Sequence, residues 1–185
     1  MHFGKNVKKI RKQKGITLQK LSQLSEVSPS MLSKIEREEK NPTIQVACQI
    51  AEGLNITLSD LLDQKERKKD RMVLKKETRQ IYIDKKFGFE RHLLSPSAPS
   101  SGIEFILNKI PPKSESGIFP AHKEGVTETI YVAKGCITVE LDGGDFKENL
   151  NEGDSFYFEA NTEHRFINKT DEESHYYLVI HSTIK

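Results

Sequence analysis

The chain is 185 residues long, 35% hydrophobic and 30% charged, which allows one large domain or two small ones and excludes a compositionally disordered polypeptide. Its two cysteines, Cys48 and Cys136, stand far apart and exclude a disulfide framework or a CxxC metal pair. The Lys-rich N-terminus lacks the apolar segment of a signal peptide and no stretch approaches a membrane span, so a cytoplasmic protein with no membrane partner is expected.

The net charge of +2 conceals an asymmetry along the chain. Residues 1–64 carry 10 Lys/Arg against 7 Asp/Glu, residues 65–79 carry 8 against 3, and residues 80–185 carry 11 against 17. A basic front joined to an acidic back predicts two domains with different partners.

From Phe3 to Leu62 the apolar residues follow helical spacing. Phe3, Val7 and Ile10 form one stripe, Leu18, Leu21 and Leu24 a second, and Leu32 and Ile35 a third. Ile44, Ala47, Ala51 and Leu54 make the fourth, and Leu58, Leu61 and Leu62 the fifth. Thr17, Ser28, Thr43 and Thr57 stand where N-caps are wanted, and Gly15 and Gly53 where helices should end. Five short helices sharing one core are therefore predicted.

Residues 17–43 hold two of these segments separated by only a few residues, the second opening on Ser28-Pro29, a capping hydroxyl and a first-turn proline. That is the pattern of a helix-turn-helix, whose second helix enters the major groove of double-stranded DNA. Its outward positions are Ser28, Pro29, Ser30, Ser33, Lys34 and Arg37. Lys34 and Arg37 can reach guanine edges or phosphates, and the serines can contact several bases. Seven Lys/Arg and no acidic residue precede Glu26, a charge distribution suited to phosphates.

This arrangement resembles the Xre/Cro/C1 family of phage-repressor-like DNA-binding domains over residues 3–63. The resemblance is carried by Ile10-Arg11, Gly15-Ile16-Thr17, Leu21, Val27-Ser28, Leu32-Ser33, Ile35-Glu36, Pro42-Thr43, Ile50-Ala51 and Leu54. It departs from the family at Glu38, where a glycine is usual. The resemblance implies a buried structural ion pair between Arg11 and Glu36. It also implies phosphate contacts from Thr17 and Gln19, with Lys40 and Asn41 on the DNA backbone beyond the recognition helix.

Residues 65–79 are highly charged, with one apolar break at Met72-Val73-Leu74, and read as a linker. Beyond Tyr82 the texture changes to period-2 alternation. Ile103, Phe105 and Leu107 alternate with their neighbours, as do Ile137, Val139 and Leu141, and Phe156 and Phe158 share a face. Asp142-Gly143-Gly144-Asp145 reads as a hairpin turn, Asn151 to Asp154 as another, and His175 to Ser182 as a long terminal strand. Eight or more short strands imply a β-sandwich or small barrel.

Two segments of this region, Gly117-x4-His122-x-Glu124-x3-Glu128-x6-Gly135 and Gly153-x5-Glu159-x-Asn161-x2-His164-x3-Asn168, resemble the two motifs of the cupin family. The first motif normally carries a second histidine where Glu124 stands. The resemblance implies a double-stranded β-helix, or jelly-roll barrel, over residues 80–185. Positions 122, 124 and 128 share parity, so in extended chain His122, Glu124 and Glu128 face one way, and His164 would reach the same cavity from another strand. Such a set suits a divalent metal (Zn, Mn, Fe or Ni), or else an organic effector bound without metal. Arg91, Tyr131, Arg165, Tyr177 and His181 are further residues that could line the cavity, while His92 reads as solvated.

The predicted protein is multidomain: an all-α five-helix helix-turn-helix bundle (1–64), a charged linker (65–79) and an all-β cupin (80–185). A helix-turn-helix with a C-terminal cupin resembles a class of bacterial transcription regulators. This implies a non-enzymatic, homodimeric DNA-binding protein that binds an operator through its helices and a small effector in its barrel. The competing expectation is a metal-dependent cupin enzyme, a dioxygenase or isomerase, with an appended DNA-binding domain. A third is a cupin that only dimerises.

Overall fold

The computed structural model describes residues 3–62, 73–96 and 102–182. Helices α1 (Phe3–Gln13), α2 (Leu18–Ser25), α3 (Pro29–Glu36), α4 (Ile44–Gly53) and α5 (Leu58–Leu62) come first. Each start is set by its cap. The side-chain oxygens of Thr17, Ser28 and Thr43 accept from the amides of Lys20, Met31 and Val46 at 3.1, 3.3 and 3.4 Å. Thr57 and Asp60 exchange bonds in a capping box: Asp60 N donates to Thr57 Oγ1 at 3.1 Å and Thr57 N donates to Asp60 Oδ2 at 2.8 Å.

Gly15 ends the first helix at φ +66, as its position predicts. Gly53 serves a different purpose. The left-handed residue after α4 is Asn55, and a Cβ on Gly53 would stand 2.8 Å from Ser25 Cβ, so glycine there permits α2 and α4 to pack closely. The five apolar stripes meet in one core with Val7, Leu21, Leu32, Ile35, Ile44, Ile50 and Leu61 fully buried. Leu24 departs from its stripe and lies exposed.

The strands are β1 (Ile81–Ile83), β2 (Glu90–Leu93), β3 (Ile103–Ile110), β4 (Ser114–Glu115), β5 (Val126–Lys134), β6 (Cys136–Leu141), β7 (Phe146–Asn151), β8 (Ser155–Glu159), β9 (His164–Asn168) and β10 (Ser174–Ser182). They build a six-stranded antiparallel sheet ordered β1-β2-β3-β10-β5-β8 and a four-stranded one ordered β4-β9-β6-β7. The inner faces meet where Phe166 on β9 packs on Tyr176 of β10, ring centroids 4.8 Å apart. The alternation implied an all-β sandwich or small barrel, and the observed fold is the jelly roll that the cupin resemblance implied.

On β3 the alternating apolar residues do not mark the inner face. Ile106, Asn108 and Ile110 point inward, whereas Ile103 and Phe105 lie on the outside. Both parities of this strand are largely apolar, so alternation alone could not assign the faces. The outer face of the larger sheet gathers Phe105, Tyr177, Tyr131 and Tyr157, with the Phe105 and Tyr177 rings stacked at 5.6 Å.

The proposed linker falls mostly on residues 63–72, which lie outside the described residues. Its remaining part holds one exposed 3-10 turn, Lys76–Thr78. The bundle and the barrel nonetheless meet directly. Tyr82 Oη donates to the carbonyl of Pro42 at 2.6 Å and its ring packs edge-on against Phe3. The Asp84 carboxylate accepts the amide of Ile44, the first residue of α4, at 2.8 Å. Lys123 Nζ donates to Asn55 Oδ1 at 2.8 Å, and the Ser59 hydroxyl bonds the Glu104 carboxylate.

Candidate functional site

The recognition segment is held from behind and left open in front. Arg11 donates to Glu36 through Nε (2.6 Å) and Nη2 (2.9 Å) and to the carbonyl of Ile16 through Nη1 (2.8 Å), tying α1 to α3. The pair is buried, and the Glu36 carboxylate raises the Arg11 guanidinium above its ordinary value. It is the structural ion pair the resemblance implied, and it removes both residues from base reading.

Thr17, Gln19, Ser28, Pro29, Ser30, Lys34, Lys40 and Asn41 are exposed, and Ser33 is half-buried. Arg37 is exposed but engaged: Nη1 reaches Ser33 Oγ at 2.5 Å, while Nε and Nη2 pair with Glu39 at 2.6 and 2.9 Å. Glu39 holds Arg37 above, and Arg37 holds Glu39 below, their ordinary values. Lys34 shows no such tether among the side-chain bonds and ion pairs of the described residues. Glu38, standing where glycine is usual, adopts φ +61, so the turn after α3 keeps its left-handed shape without the glycine.

In the barrel, His122, Glu128 and His164 converge, their ligand atoms all within 4.8 Å of one another. Glu128 Oε1 lies 3.2 Å from His122 Nε2 and 3.6 Å from His164 Nε2. His164 Nδ1 meets the carbonyl of Thr162 at 3.0 Å, which directs its Nε2 to the cluster. Burial would push the Glu128 carboxyl up, but the two imidazoles outweigh it and hold it well below the carboxylate range. Burial likewise opposes charge on His164, and Glu128 overcomes it and raises the imidazole.

Glu124 does not join them. Residues 121–125 are not strand: the chain turns at Glu124-Gly125, with Gly125 at φ +85, and the parity that would have aimed Glu124 inward is lost. Glu124 lies exposed. The remaining two imidazoles and one carboxylate are donors suited to Zn, Mn, Fe or Ni. Glu128 Oε2 and His164 Nε2 are buried without a hydrogen-bond partner, the condition expected of a set awaiting a ligand.

Four further residues share this condition, Arg79 through Nε and, within the barrel sheet, Arg91 through Nε, Asn108 through both amide atoms and Tyr176 through Oη. Arg91 pairs in register with Asn108, and Asn108 with Tyr176, so these last three form a polar row across the inner face of the larger sheet. Asn108 and Tyr176 went unnoticed in the sequence, although each stands at inward parity among apolar neighbours, Ile106 and Ile110 for one, Leu178 and Ile180 for the other. Arg91 is the one further cavity residue correctly anticipated. Tyr131 and Tyr177 are outward, because Tyr176 takes the inward parity. Arg165 is bound by Glu140 and Glu115, and His181 is exposed. His92 is buried, not solvated, with Nε2 2.7 Å from Glu90 Oε2.

A cavity of about 360 Å³ opens onto the His122–Glu128 edge of the cluster, and its wall comes from both domains. The barrel contributes Arg91, Glu104, Phe119, His122, Glu128 and Ile180, while α4, α5 and the turn between them contribute Cys48, Ala51, Asn55, Ile56 and Leu58. Burial pushes the Cys48 thiol up to about 12, which marks it as an inert wall residue while the domains are docked.

An exposed, braced helix-turn-helix joined to a jelly roll with a polar interior defines a DNA-binding transcriptional regulator with a cupin domain. The chain matches the Helix-turn-helix family over residues 7–61 and the Cupin domain family over residues 107–181, and so combines the two domains. It is 27% identical over 175 residues to the HTH-type transcriptional regulator SutR of Escherichia coli (strain K12), covering 95% of this chain and 92% of that one. The crystal structure of an HTH_3 family transcriptional regulator from Vibrio cholerae superposes with a TM-score of 0.79 at 24% identity, over 99% of this chain and 96% of that chain. Hydroxypropylphosphonic acid epoxidase from S. wedmorenis shares the fold, at TM-score 0.51 and 16% identity over 97% and 96% of the two chains. No helix among the described residues is long and apolar enough to cross a membrane.

Proposed function

We propose that this chain is a cytoplasmic, effector-responsive regulator that binds a two-fold DNA operator as a homodimer, without catalytic turnover. The observation that carries the reading is the cavity whose wall is shared by the barrel and the DNA-binding bundle. A ligand there touches the output domain directly.

Operator contact would come from Ser28, Pro29, Ser30, Ser33 and Lys34, with Thr17, Gln19, Lys40 and Asn41 on phosphates. Arg37 would join only by exchanging Glu39 for DNA. Lys34 is the principal base reader, and Lys34→Ala should cost about 1–3 kcal/mol of binding, 5- to 150-fold in Kd. A bundle this small reads a short half-site, so two copies are needed at a spacing of about 34–36 Å or its multiples. The outward aromatic surface of β3, β10, β5 and β8 (Phe105, Tyr177, Tyr131, Tyr157) supports a dimer contact there. Tyr131→Glu with Tyr157→Glu should then convert a sedimenting dimer to monomer, and an unchanged sedimentation coefficient would count against this surface.

His122, Glu128 and His164 would hold a divalent cation, and such an ion supplies a fixed positive charge and Lewis acidity at the cavity edge. The same donor set favours the second reading, a metal-dependent enzyme. Mapping of bound genomic DNA, followed by His122→Ala and His164→Ala variants, separates the two. A regulator should keep operator binding and lose effector response. Loss of a catalytic turnover in those variants, with no site enriched on DNA, would establish the enzyme instead.

A further inference from the structure

Resting on that regulator reading, we propose that the effector is a small organic carboxylate anchored on Arg91, and that it acts as a clasp between the barrel and the α4–α5 corner of the DNA-binding domain.

The anchor is a buried guanidinium whose Nε lacks a partner and whose Cζ lies 5.9 Å over the Phe119 ring. The Arg91 side chain is 4% exposed and its Nε has no hydrogen-bond partner. Its nearest carboxylate, Glu104 Oε2, is 3.9 Å from Nη2 and is shared with the Ser59 hydroxyl of α5. A buried cation paired at such a distance carries a desolvation cost that a close oxyanion would offset. The planar fork of arginine is matched by a carboxylate, which accepts two of its N–H groups side by side.

The charges facing the cavity are mixed, and its carboxylates other than the exposed Glu52 each have a partner of their own. Glu128 is already matched by His122 and His164. Asp60 is turned onto Thr57, Glu52 is exposed, and Glu104 is committed to Ser59. Lys123 adds a second cation at the rim. Beyond the polar end, Ala51, Ile56, Leu58, Phe119, Val126 and Ile180 offer an apolar wall for a short carbon skeleton. At about 360 Å³ the cavity falls at the low end of small-molecule sites, roughly 300–1,000 Å³, which suits a small acid and excludes a peptide.

The sensing element follows from the same wall. A molecule seated on Arg91 also meets Cys48, Asn55 and Leu58, which belong to the helical bundle. It makes those contacts only while the domains are docked, so it binds that arrangement better and shifts the population toward it.

Cys48 reports on the seam. In the chain carrying Cys136→Ser, Cys48 is the single thiol; it is half-buried on the cavity wall, so a molecule that fills the cavity and holds the seam closed shields it from an aromatic disulfide reagent. Acetate, lactate, pyruvate and succinate are tested against acetamide, lactamide, pyruvamide and succinamide. A binding carboxylate at about 10 times its Kd should slow labelling about tenfold, and its amide should not. Arg91→Gln should abolish the protection while still unfolding cooperatively on heating, and Arg91→Lys should retain part of it. Equal protection by acid and amide, protection that survives in Arg91→Gln, or no protection by any of the four acids overturns the proposal. The wild-type comparison of acid with amide needs no variant to fold. Failure to enrich any DNA site would overturn the regulator reading instead, and it leaves the labelling result standing.

Discussion

Asp84→Ala tests whether the bundle and the barrel fold as one docked unit. Asp84 is 1% exposed, and its two carboxylate oxygens are divided between elements. Oδ2 accepts the Ile44 amide across the seam at 2.8 Å, and Oδ1 accepts the Lys86 amide at 2.8 Å within its own hairpin. Ile44 opens α4, where amides have no partner inside the helix. Alanine strands the buried Ile44 amide at about 1–3 kcal/mol and the part-buried Lys86 amide at less, so roughly 2–4 kcal/mol is expected for the pair. At about 2–4 °C per kcal/mol for a chain of this size, Tm should fall by roughly 4–16 °C. The chain has no tryptophan, so circular dichroism under heat and urea is the suitable probe. Asp84→Asn keeps one acceptor oxygen and should fall between parent and alanine. Tyr82→Phe removes the hydroxyl bonded to Pro42 O and tests the same seam. If the contacts act as one unit, the double variant should be less destabilised than the sum of the singles by more than about 0.5 kcal/mol. An Asp84→Ala protein within about 0.5 kcal/mol of parent, or strict additivity with Tyr82→Phe, refutes a cooperative seam.

Glu36→Ala leaves the half-buried Arg11 guanidinium with the Ile16 carbonyl as its remaining partner and should cost about 1.5–3 kcal/mol in urea unfolding, whereas Arg37→Ala, which breaks an exposed pair, should leave the midpoint unchanged. Burial alone would raise the Glu140 carboxyl, but Arg165 and Lys147 outweigh it and hold it below the carboxylate range. Its stabilising contribution is therefore present above the unfolded value near 4.5 and is lost as pH falls through the depressed folded one; Glu140→Gln should flatten the acid limb of a urea midpoint-versus-pH curve. His164→Ala should abolish zinc or manganese uptake in equilibrium dialysis and Glu124→Ala should not, because Glu124 lies exposed on its turn outside the cluster.

The helical half was the more legible in the sequence because its signals are local. A cap hydroxyl and the amide three residues on belong to one segment, so Thr17, Ser28, Thr43 and Thr57 can be read without knowing what the helix packs on. The Arg11–Glu36 pair spans 25 residues and came from resemblance, since no local rule links them. Parity in the barrel failed where its premise of extended chain failed. Residues 121–125 turn, and Glu124 left the cluster. On β3 and β10 the premise held, but large apolar residues fill both faces, and the diagnostic signal was the reverse of the usual one. Asn108 and Tyr176 mark the inward face by being polar among aliphatics. The seam was not legible at all, because Ile44–Asp84 and Pro42–Tyr82 join residues 40 apart through a proximity that only the tertiary fold creates.

That seam supplies a physical route from cavity to DNA without a long relay. The loop from Arg37 to Thr43 carries Lys40 and Asn41, exposed and suited to phosphates, and then Pro42, whose carbonyl is held by Tyr82 of the barrel. One residue separates Asn41 from Thr43, the cap of α4, and the next, Ile44, is held by Asp84. The far end of α4 and its turn into α5 form the cavity wall. A single helix thus has its first turn fastened beside the loop proposed to meet DNA and its last turn against the cavity. Under the proposed function, docking and undocking of α4 would be the two-state element that both sites bias, and a tenfold change in operator affinity would require about 1.4 kcal/mol of difference in ligand binding between the two arrangements. That is about the worth of one buried hydrogen bond at the seam, so Asp84 and Tyr82 variants should change effector response even where operator binding in the absence of ligand is intact.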